Sequence, residues 1–217
     1  MYKACILDID GTLLDSVESI AYVANKVLNT YGLPSQPVEA YNYYAGDGAD
    51  ELMRRALTAS GDKELINFER GRILYREIFA VDPLYKVTAF DGMPEALEEL
   101  KKRGVRLAVL SNKPHRAAVK AIEAIYGEAC FDIIQGQEEG IPRKPSPEGA
   151  WMIAKKFGVK PEECMYVGDT NTDMQTGKRA GMMTIGVTWG FRDRKELEDN
   201  HADVIIDHPS ELLNIEP

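Results

Sequence analysis

Two carboxylates stand close together near the start of the chain, directly after a short apolar run. Residues 4–7 are typical of a strand buried on both faces, and Asp8 and Asp10 follow with one residue between them. Unpaired charge beside a core costs on the order of several kcal/mol, so a divalent cation would stabilise the pair and leave one carboxylate free for chemistry. Gly11 allows a tight turn whose N–H can approach an anion. A strand end with a solvated Asp-x-Asp turn is the alternative that these residues leave open.

Polar residues also follow two later apolar runs. The run at residues 105–110 leads into Ser111, and the run at residues 165–167 leads through a glycine into Asp169. In an open parallel sheet, the carboxyl ends of the strands meet at one edge, where ligands bind. We therefore expect Asp8, Ser111 and Asp169 to converge although they are far apart in sequence.

The residue types at this edge indicate the chemistry. Aspartates without a nearby His or Cys favour a hard cation with oxygen ligands, and Mg²⁺ is the expected ion. Phosphoryl transfer suits such a site, because its transition state mainly needs in-line placement and neutralised charge. A carboxylate can also act as the nucleophile and form an aspartyl-phosphate that water hydrolyses.

In order and spacing, these residues resemble the four motifs of the haloacid dehalogenase-like phosphatases. The Asp-x-Asp-Gly-Thr signature matches residues 8–12, and the Ser or Thr that ends a second strand matches Ser111. Lys144, before a proline, matches the third motif, and the Gly-Asp-x-x-x-Asp motif supplies Asp169 and Asp173. The resemblance covers nearly the whole chain, and no core motif departs from the pattern.

The resemblance implies a role for each acidic residue. Asp8 would be the nucleophile and a metal ligand. Asp10 would protonate the leaving oxygen, activate the hydrolytic water and offer its backbone carbonyl to the metal. Asp169 would bind Mg²⁺, and Asp173 would support the surrounding residues or Lys144 rather than touch the metal.

The resemblance also implies which groups hold the phosphoryl oxygens. Ser111 and Asn112 would do so together with backbone N–H groups near Gly11 and Thr12, while Lys144 neutralises charge beside the nucleophile. Plainer interpretations stay open for two of these segments. Ser111-Asn112 is also typical of a helix cap, and Lys144 before its proline is also typical of an exposed turn.

The alternation of strands and helices predicts an α/β fold: a Rossmann-like parallel sheet core with helices on both faces, plus a small inserted α-helical cap. We expect the catalytic core to comprise residues 1–14 and 88–217, and the cap to comprise residues 15–87. The sequence predicts a helix at residues 16–31, capped by Asp15 or Ser16. Further helices are predicted at residues 37–44, 49–60, 63–80, 94–103, 116–126 and 147–157, and a short one ends at residue 181. The sequence predicts strands at residues 4–7, 105–110, 131–134, 165–167, 184–187 and 204–206.

The cap segment resembles that of phosphoglycolate phosphatases. Gly46, Asp47 and Gly48 belong to this segment, and the two glycines would let the lid backbone approach a small anion. A plain turn between helices also explains them. Five cap arginines are typical of solvated helix faces, although one could meet a substrate carboxylate: Arg54, Arg55, Arg70, Arg72 and Arg76.

Other chemistries of this family are less compatible with the residues. β-Phosphoglucomutases carry a cap histidine where this chain has Ile20, and dehalogenases lack the equivalent of Asp10. Phosphonatases need a Schiff-base lysine for which the cap shows no matching context. The expected function is therefore Mg²⁺-dependent hydrolysis of a small phosphomonoester, with 2-phosphoglycolate leading. Pyrophosphate, nucleoside monophosphates or sugar phosphates as substrates, a phosphomutase, and a non-catalytic binding module are the alternatives.

Composition limits the partners. The chain has 217 residues and a net charge of −9, and this acidity argues against non-specific nucleic-acid binding. No apolar run approaches the roughly 18–20 residues that cross a bilayer. The three cysteines lack C-x-x-C spacing and are expected to be buried free thiols, and the N-terminus shows no secretory signal. We expect a cytoplasmic monomer or homodimer that binds a small phosphorylated metabolite, not nucleic acid or membrane.

Overall fold

The computed structural model describes residues 2–216. In chain order, its strands and helices are β1 (Ala4–Leu7), β2 (Leu14–Asp15), α1 (Val17–Thr30), α2 (Tyr41–Tyr44), α3 (Ala49–Ala59), α4 (Phe68–Val81), β3 (Thr88–Ala89), α5 (Met93–Lys102), β4 (Arg106–Pro114), α6 (His115–Tyr126), β5 (Ile133–Gln137), α7 (Glu148–Phe157), β6 (Cys164–Gly168), α8 (Asn171–Ala180), β7 (Met183–Val187), α9 (Arg194–Asp199) and β8 (Val204–Ile206). Short 3₁₀ helices lie at Val38–Ala40, Pro161–Glu163 and Pro209–Asn214.

Six strands form one parallel sheet in the order β5-β4-β1-β6-β7-β8. Alternate residues of the central strand β1 pack into opposite apolar layers. Cys5 and Leu7 face the layer that contains side chains of α5 and α6, whereas Ala4 and Ile6 face the layer built by α7. Because both faces are covered, the strands are continuous apolar runs. The predicted α/β core with helices on both faces is confirmed.

Helices α1 to α4 form a cap around a second apolar cluster, to which Ala117 and Phe191 of the core also contribute. Val23 and Val27 on α1, and Met53 and Leu57 on α3, are spaced four residues apart, so each pair lies on one helix face. Phe79 of α4 packs into the same cluster. The inserted helical cap is confirmed, while its boundaries at residues 15 and 87 stay a prediction.

A small antiparallel ribbon lies where the chain enters and leaves the helical cap. Leu14 of β2 pairs with Ala89 of β3, and Asp15 pairs with Thr88. This ribbon is not among the predicted elements, because strands of two residues are too short to show alternation. Helix α9 and the last 3₁₀ helix are also absent from the prediction.

Helix α4 begins at Phe68, five residues later than predicted. The Asp62 carboxylate accepts hydrogen bonds from the backbone N–H groups of Ile66 and Asn67, both at 2.9 Å. Leu65 has φ of 56°, outside the helical region. Side-chain bonds to the backbone thus hold residues 62–67 in a turn instead of a helix.

Strand β4 runs to Pro114, past the predicted end at residue 110. Its register with β5 shifts between Leu110 and Pro114, so the chain bulges there. Ser111 and Asn112 therefore lie on the last part of the strand, not after it.

Two further expectations concern membranes and thiols. Among the described residues, no helix is both long and apolar enough to cross a membrane. All three cysteines are free; Cys5 and Cys164 are buried, as expected, and Cys130 is half-buried.

We predict opposite effects on fold stability when two buried helix glycines are replaced by alanine. A Cβ on Gly71 of α4 would make ordinary contacts, the nearest 3.5 Å from Leu57, whereas one on Gly177 of α8 would overlap Thr184 and crowd Tyr166. We expect Gly71→Ala to stabilise the fold by about 0.5–1 kcal/mol through helix propensity. We expect Gly177→Ala to destabilise it by about 1–3 kcal/mol through overpacking. Thermal and urea unfolding measure both; equal effects would contradict the packing described for the two helices.

Candidate active site

Three carboxylates lie together at the carboxyl edge of the sheet. Asp8 directly follows β1, Asp169 directly follows the neighbouring β6, and Asp173 lies in the first turn of α8. One oxygen from each lies within 4.8 Å of the others, and all three residues are buried. The predicted convergence of Asp8 and Asp169 is thus observed, and Asp173 joins them in one cluster.

Lys144 supplies positive charge to this cluster. Its Nζ donates a hydrogen bond to Asp173 Oδ1 at 2.7 Å and lies 2.9 Å from Asp8 Oδ1. Burial alone would lower the pKa of Lys144, but the carboxylates of Asp173 and Asp8 outweigh it and raise that pKa well above its usual value. Lys144 is therefore a buried ammonium, and the exposed-turn interpretation is wrong.

The charges of the remaining acids are only partly balanced. Burial raises the pKa of Asp8 to about 6, against the lowering effect of Lys144. Burial, and next the charges of Asp173 and Asp8, raise the pKa of Asp169 well above its usual value. Asp8 Oδ1, although close to Lys144, has no hydrogen bond within residues 2–216. The Lys144 ammonium neutralises part of the charge on this buried oxygen, and its remaining lone pairs are available for a ligand.

Backbone and glycine contacts fix the position of Asp169. Its Oδ1 accepts a hydrogen bond from the Thr12 hydroxyl at 2.8 Å, and its Oδ2 accepts one from the Phe191 N–H at 2.8 Å. A Cβ on Gly11 or on Gly190 would overlap the Asp169 side chain. The glycine of the first motif is therefore required for close packing against this acid, besides its turn with φ of 86°.

The cluster fits a hard divalent cation. Its donors are all carboxylate oxygens, one of them is buried without a hydrogen bond, and three acids face a single ammonium. The carboxylate of Asp10, also predicted at the metal, lies outside this cluster. Its expected contribution there through the backbone carbonyl stays a prediction.

The Asp10 carboxylate is held by two residues whose role the sequence analysis missed. Lys113 Nζ donates to its two oxygens at 2.7 and 3.1 Å, and the Ser16 hydroxyl donates to Oδ1 at 2.6 Å. Ser16 occupies the position before α1, but its hydroxyl makes no capping hydrogen bond to the helix, contrary to the prediction. Lys113 lies two residues after Ser111, on the part of β4 beyond the apolar run, where no sequence signal marked it.

The predicted phosphate-binding groups differ in availability. Ser111 lines the pocket described below and caps no helix, whereas the Asn112 side chain donates to the carbonyls of Gly46 and Lys144, both at 3.1 Å. Asn112 Oδ1 also accepts from the Lys144 N–H at 2.9 Å. Asn112 therefore joins three segments of chain, and its side chain is not free for a phosphate.

The N–H groups of Gly11 and Thr12 are also engaged. The first donates to the Leu14 carbonyl at 2.9 Å and the second to the Ile9 carbonyl at 3.3 Å. The expectation that they hold phosphoryl oxygens is not supported by this arrangement, because the turn uses them internally.

The cap loop contributes backbone to the site. Gly46 and Gly48 line the pocket, and their φ angles of 109° and 91° favour glycine. Asp47 turns away from the pocket: it accepts from the Thr172 hydroxyl at 2.8 Å and pairs with Arg55 at 2.5 Å. Of the three predicted loop residues, only the glycines therefore face the pocket.

A pocket of about 40 Å³ opens between core and cap above Asp8 and Asp10. The core also contributes Ser111, Asn112, Lys113 and Pro114 to its wall. The cap contributes Ile20, Ala45, Gly46, Gly48, Ala49, Leu52, Tyr75 and Phe79. None of the five cap arginines lines this pocket, and the contact that one of them could make with a substrate carboxylate stays a prediction.

Known proteins that are similar to this chain in sequence and fold identify its family. The family model of the haloacid dehalogenase-like hydrolases matches residues 5–187. The phosphoglycolate phosphatases of Vibrio parahaemolyticus and Aquifex aeolicus are 31% and 30% identical to the chain; the alignments cover 98% of it in both cases, and 95% and 96% of the relatives. The crystal structure of a candidate phosphoglycolate phosphatase from Lactobacillus delbrueckii subsp. bulgaricus has a TM-score of 0.89 at 31% identity, covering 97% of this chain and 96% of its own.

These matches cover the motif residues, the sheet and the cap together. Phosphatases of this family generally use Mg²⁺, and the cluster of Asp8, Asp169 and Asp173 could bind it. The chain therefore belongs to the haloacid dehalogenase-like hydrolases, in their phosphoglycolate phosphatase-like subgroup, and is a phosphoric monoester hydrolase.

Proposed function

We propose that this enzyme hydrolyses a small phosphomonoester, with 2-phosphoglycolate as the leading substrate, through a phosphorylated Asp8. The observation that carries the proposal is the Asp8 carboxylate, which lines the pocket, has a buried oxygen without a hydrogen bond, and lies beside the Lys144 ammonium. The names of the relatives support the substrate, since phosphoglycolate phosphatases match nearly the whole chain.

In the first step, an Asp8 oxygen attacks the phosphorus and the bond to the leaving oxygen breaks. Asp10 lines the same pocket and would give its proton to that leaving oxygen. The product of this step is an aspartyl-phosphate and a free alcohol. Lys144, held by Asp173, would neutralise charge beside Asp8.

In the second step, Asp10 would take a proton from a water molecule as that water attacks the phosphorus. The bond between phosphorus and the Asp8 oxygen breaks, so inorganic phosphate leaves and the carboxylate is restored. Asp8 and Asp169 would hold Mg²⁺ with the Asp10 carbonyl, and Asp173 would support them. The ion would supply charge neutralisation for the phosphoryl group.

The pocket argues for a small substrate. Its volume of about 40 Å³ and its apolar cap wall favour a small substrate over a bulky one. A phosphomutase is disfavoured because Ile20, which has no protonatable group, lines the wall where mutases carry a cap histidine. A hydrolase with another small substrate is the alternative that activity measurements must separate.

A panel of phosphomonoesters tests the substrate. We expect kcat/KM for 2-phosphoglycolate to exceed that for sugar phosphates, AMP and pyrophosphate by at least about tenfold, because larger groups do not fit the pocket. Phosphate release with Mg²⁺, and with EDTA as the matched control, is the measurement. A preference for a larger substrate would discard 2-phosphoglycolate, whereas no release from any ester would contradict the hydrolytic mechanism.

Metal binding should depend on pH. The pKa of Asp8 is raised to about 6 in the folded protein, so the metal-free enzyme loses stability as pH rises through 6. Protons compete with the cation for the same oxygens, so Mg²⁺ should raise Tm by several degrees at pH 7.5 and by much less at pH 5.

Thermal unfolding with and without Mg²⁺ measures this dependence, with Asp169→Asn as the variant that lacks one ligand. Asp15→Asn, which changes an exposed aspartate, is the matched control and should keep the wild-type shift. An equal shift at both pH values, or a full shift in Asp169→Asn, would contradict the proposed metal site.

A further inference from the structure

Lys113 brings positive charge to an otherwise acidic and apolar pocket. Within residues 2–216, it is the one cationic side chain on the pocket wall. Lys144 serves the acid cluster behind Asp8 and is not part of that wall. A ligand in the pocket therefore meets a single ammonium besides the groups that handle phosphate.

The surroundings of Lys113 hold its ammonium in place. The side chain is only 4% exposed, its Nζ lies 4.5 Å from the centre of the Phe79 ring, and it binds both oxygens of Asp10. Phe79 belongs to the cap and Asp10 to the core, so the ammonium lies at the junction of the two. A buried ammonium between an aromatic face and a carboxylate is preorganised to receive another anion.

The cap arginines do not line this pocket. Arg55 binds Asp47 and the carbonyls of Tyr43 and Tyr44, and Arg76 pairs with Asp50. An anionic group at the far end of a substrate would thus find Lys113 as its cationic partner in this pocket.

We propose, on the basis of the function proposed above, that Lys113 is the specificity-determining residue, whose ammonium receives an anionic group next to the ester oxygen. If Asp10 protonates the leaving oxygen, the rest of the leaving group lies beside Asp10 and hence beside Lys113. In 2-phosphoglycolate the carboxylate is one carbon away from that oxygen. The inference explains how a pocket with an apolar cap wall selects a short phosphorylated acid.

The test compares two substrates of similar size, 2-phosphoglycolate and 2-hydroxyethyl phosphate, whose second group is neutral. The wild-type enzyme should prefer the acid. In Lys113→Met the ratio of the two kcat/KM values should fall by about 100-fold, because the carboxylate loses its charged partner, and Lys113→Arg should restore part of it. The ratio is the readout because loss of the contact with Asp10 would slow both substrates alike.

Lys86→Met is the matched control, since Lys86 is an exposed lysine paired with Glu18 away from the pocket. It should keep the wild-type ratio, and circular dichroism and Tm establish that each variant is folded. An equal fall for both substrates in Lys113→Met would overturn the inference and leave Lys113 as a positioning residue for Asp10, with the proposed function intact. A wild-type enzyme without preference for the acid would overturn both the inference and the proposed substrate.

Discussion

The active edge of this enzyme depends on a buried imbalance of charge: three carboxylates surround one ammonium. Lys144 contacts Asp8 and Asp173 directly, while Asp169 is held by neutral donors alone. In a poorly solvated site, like charges this close are costly, which explains why burial and neighbouring acids raise the pKa values of Asp8 and Asp169. A cation between the carboxylates would remove that cost. Metal binding would thus relieve a cost that the metal-free site carries.

The cap is joined to the same residues that organise the charges. Asn112, beside Ser111, ties the Lys144 backbone to Gly46, and Thr172, beside Asp173, binds Asp47. Arg192 donates to the Ala45 carbonyl and Arg143 pairs with Asp50. These contacts hold the cap loop over the acids, so the pocket is small and walled largely by apolar cap residues. The cap loop and the acids are therefore connected by contacts of side chains that are adjacent in sequence to site residues.

The sequence predicted those parts of the site that depend on strand ends. Asp8 and Asp169 could be placed together because adjacent parallel strands end at one edge. The hydrogen-bond partners of polar side chains could not be predicted, because they depend on contacts between distant segments. Asn112 donates hydrogen bonds to backbone carbonyls, and Asp47 accepts one from Thr172 of the core. Lys113 was missed because β4 continues through a bulge that apolar periodicity does not reveal. Helix α4 was predicted too early for a local reason, the turn held by Asp62.

Chemical trapping of the phosphorylated residue distinguishes Asp8 from the other aspartates as the nucleophile. The enzyme would be mixed with 2-phosphoglycolate and Mg²⁺, quenched in acid during turnover, and reduced with borohydride, which converts an aspartyl-phosphate to homoserine. Peptide mass spectrometry would then locate the product, with Asp8→Asn as the control. We expect homoserine at position 8 in the wild-type enzyme and none in the variant. Homoserine at another aspartate, or its absence while phosphate is being released, would contradict Asp8 as the nucleophile.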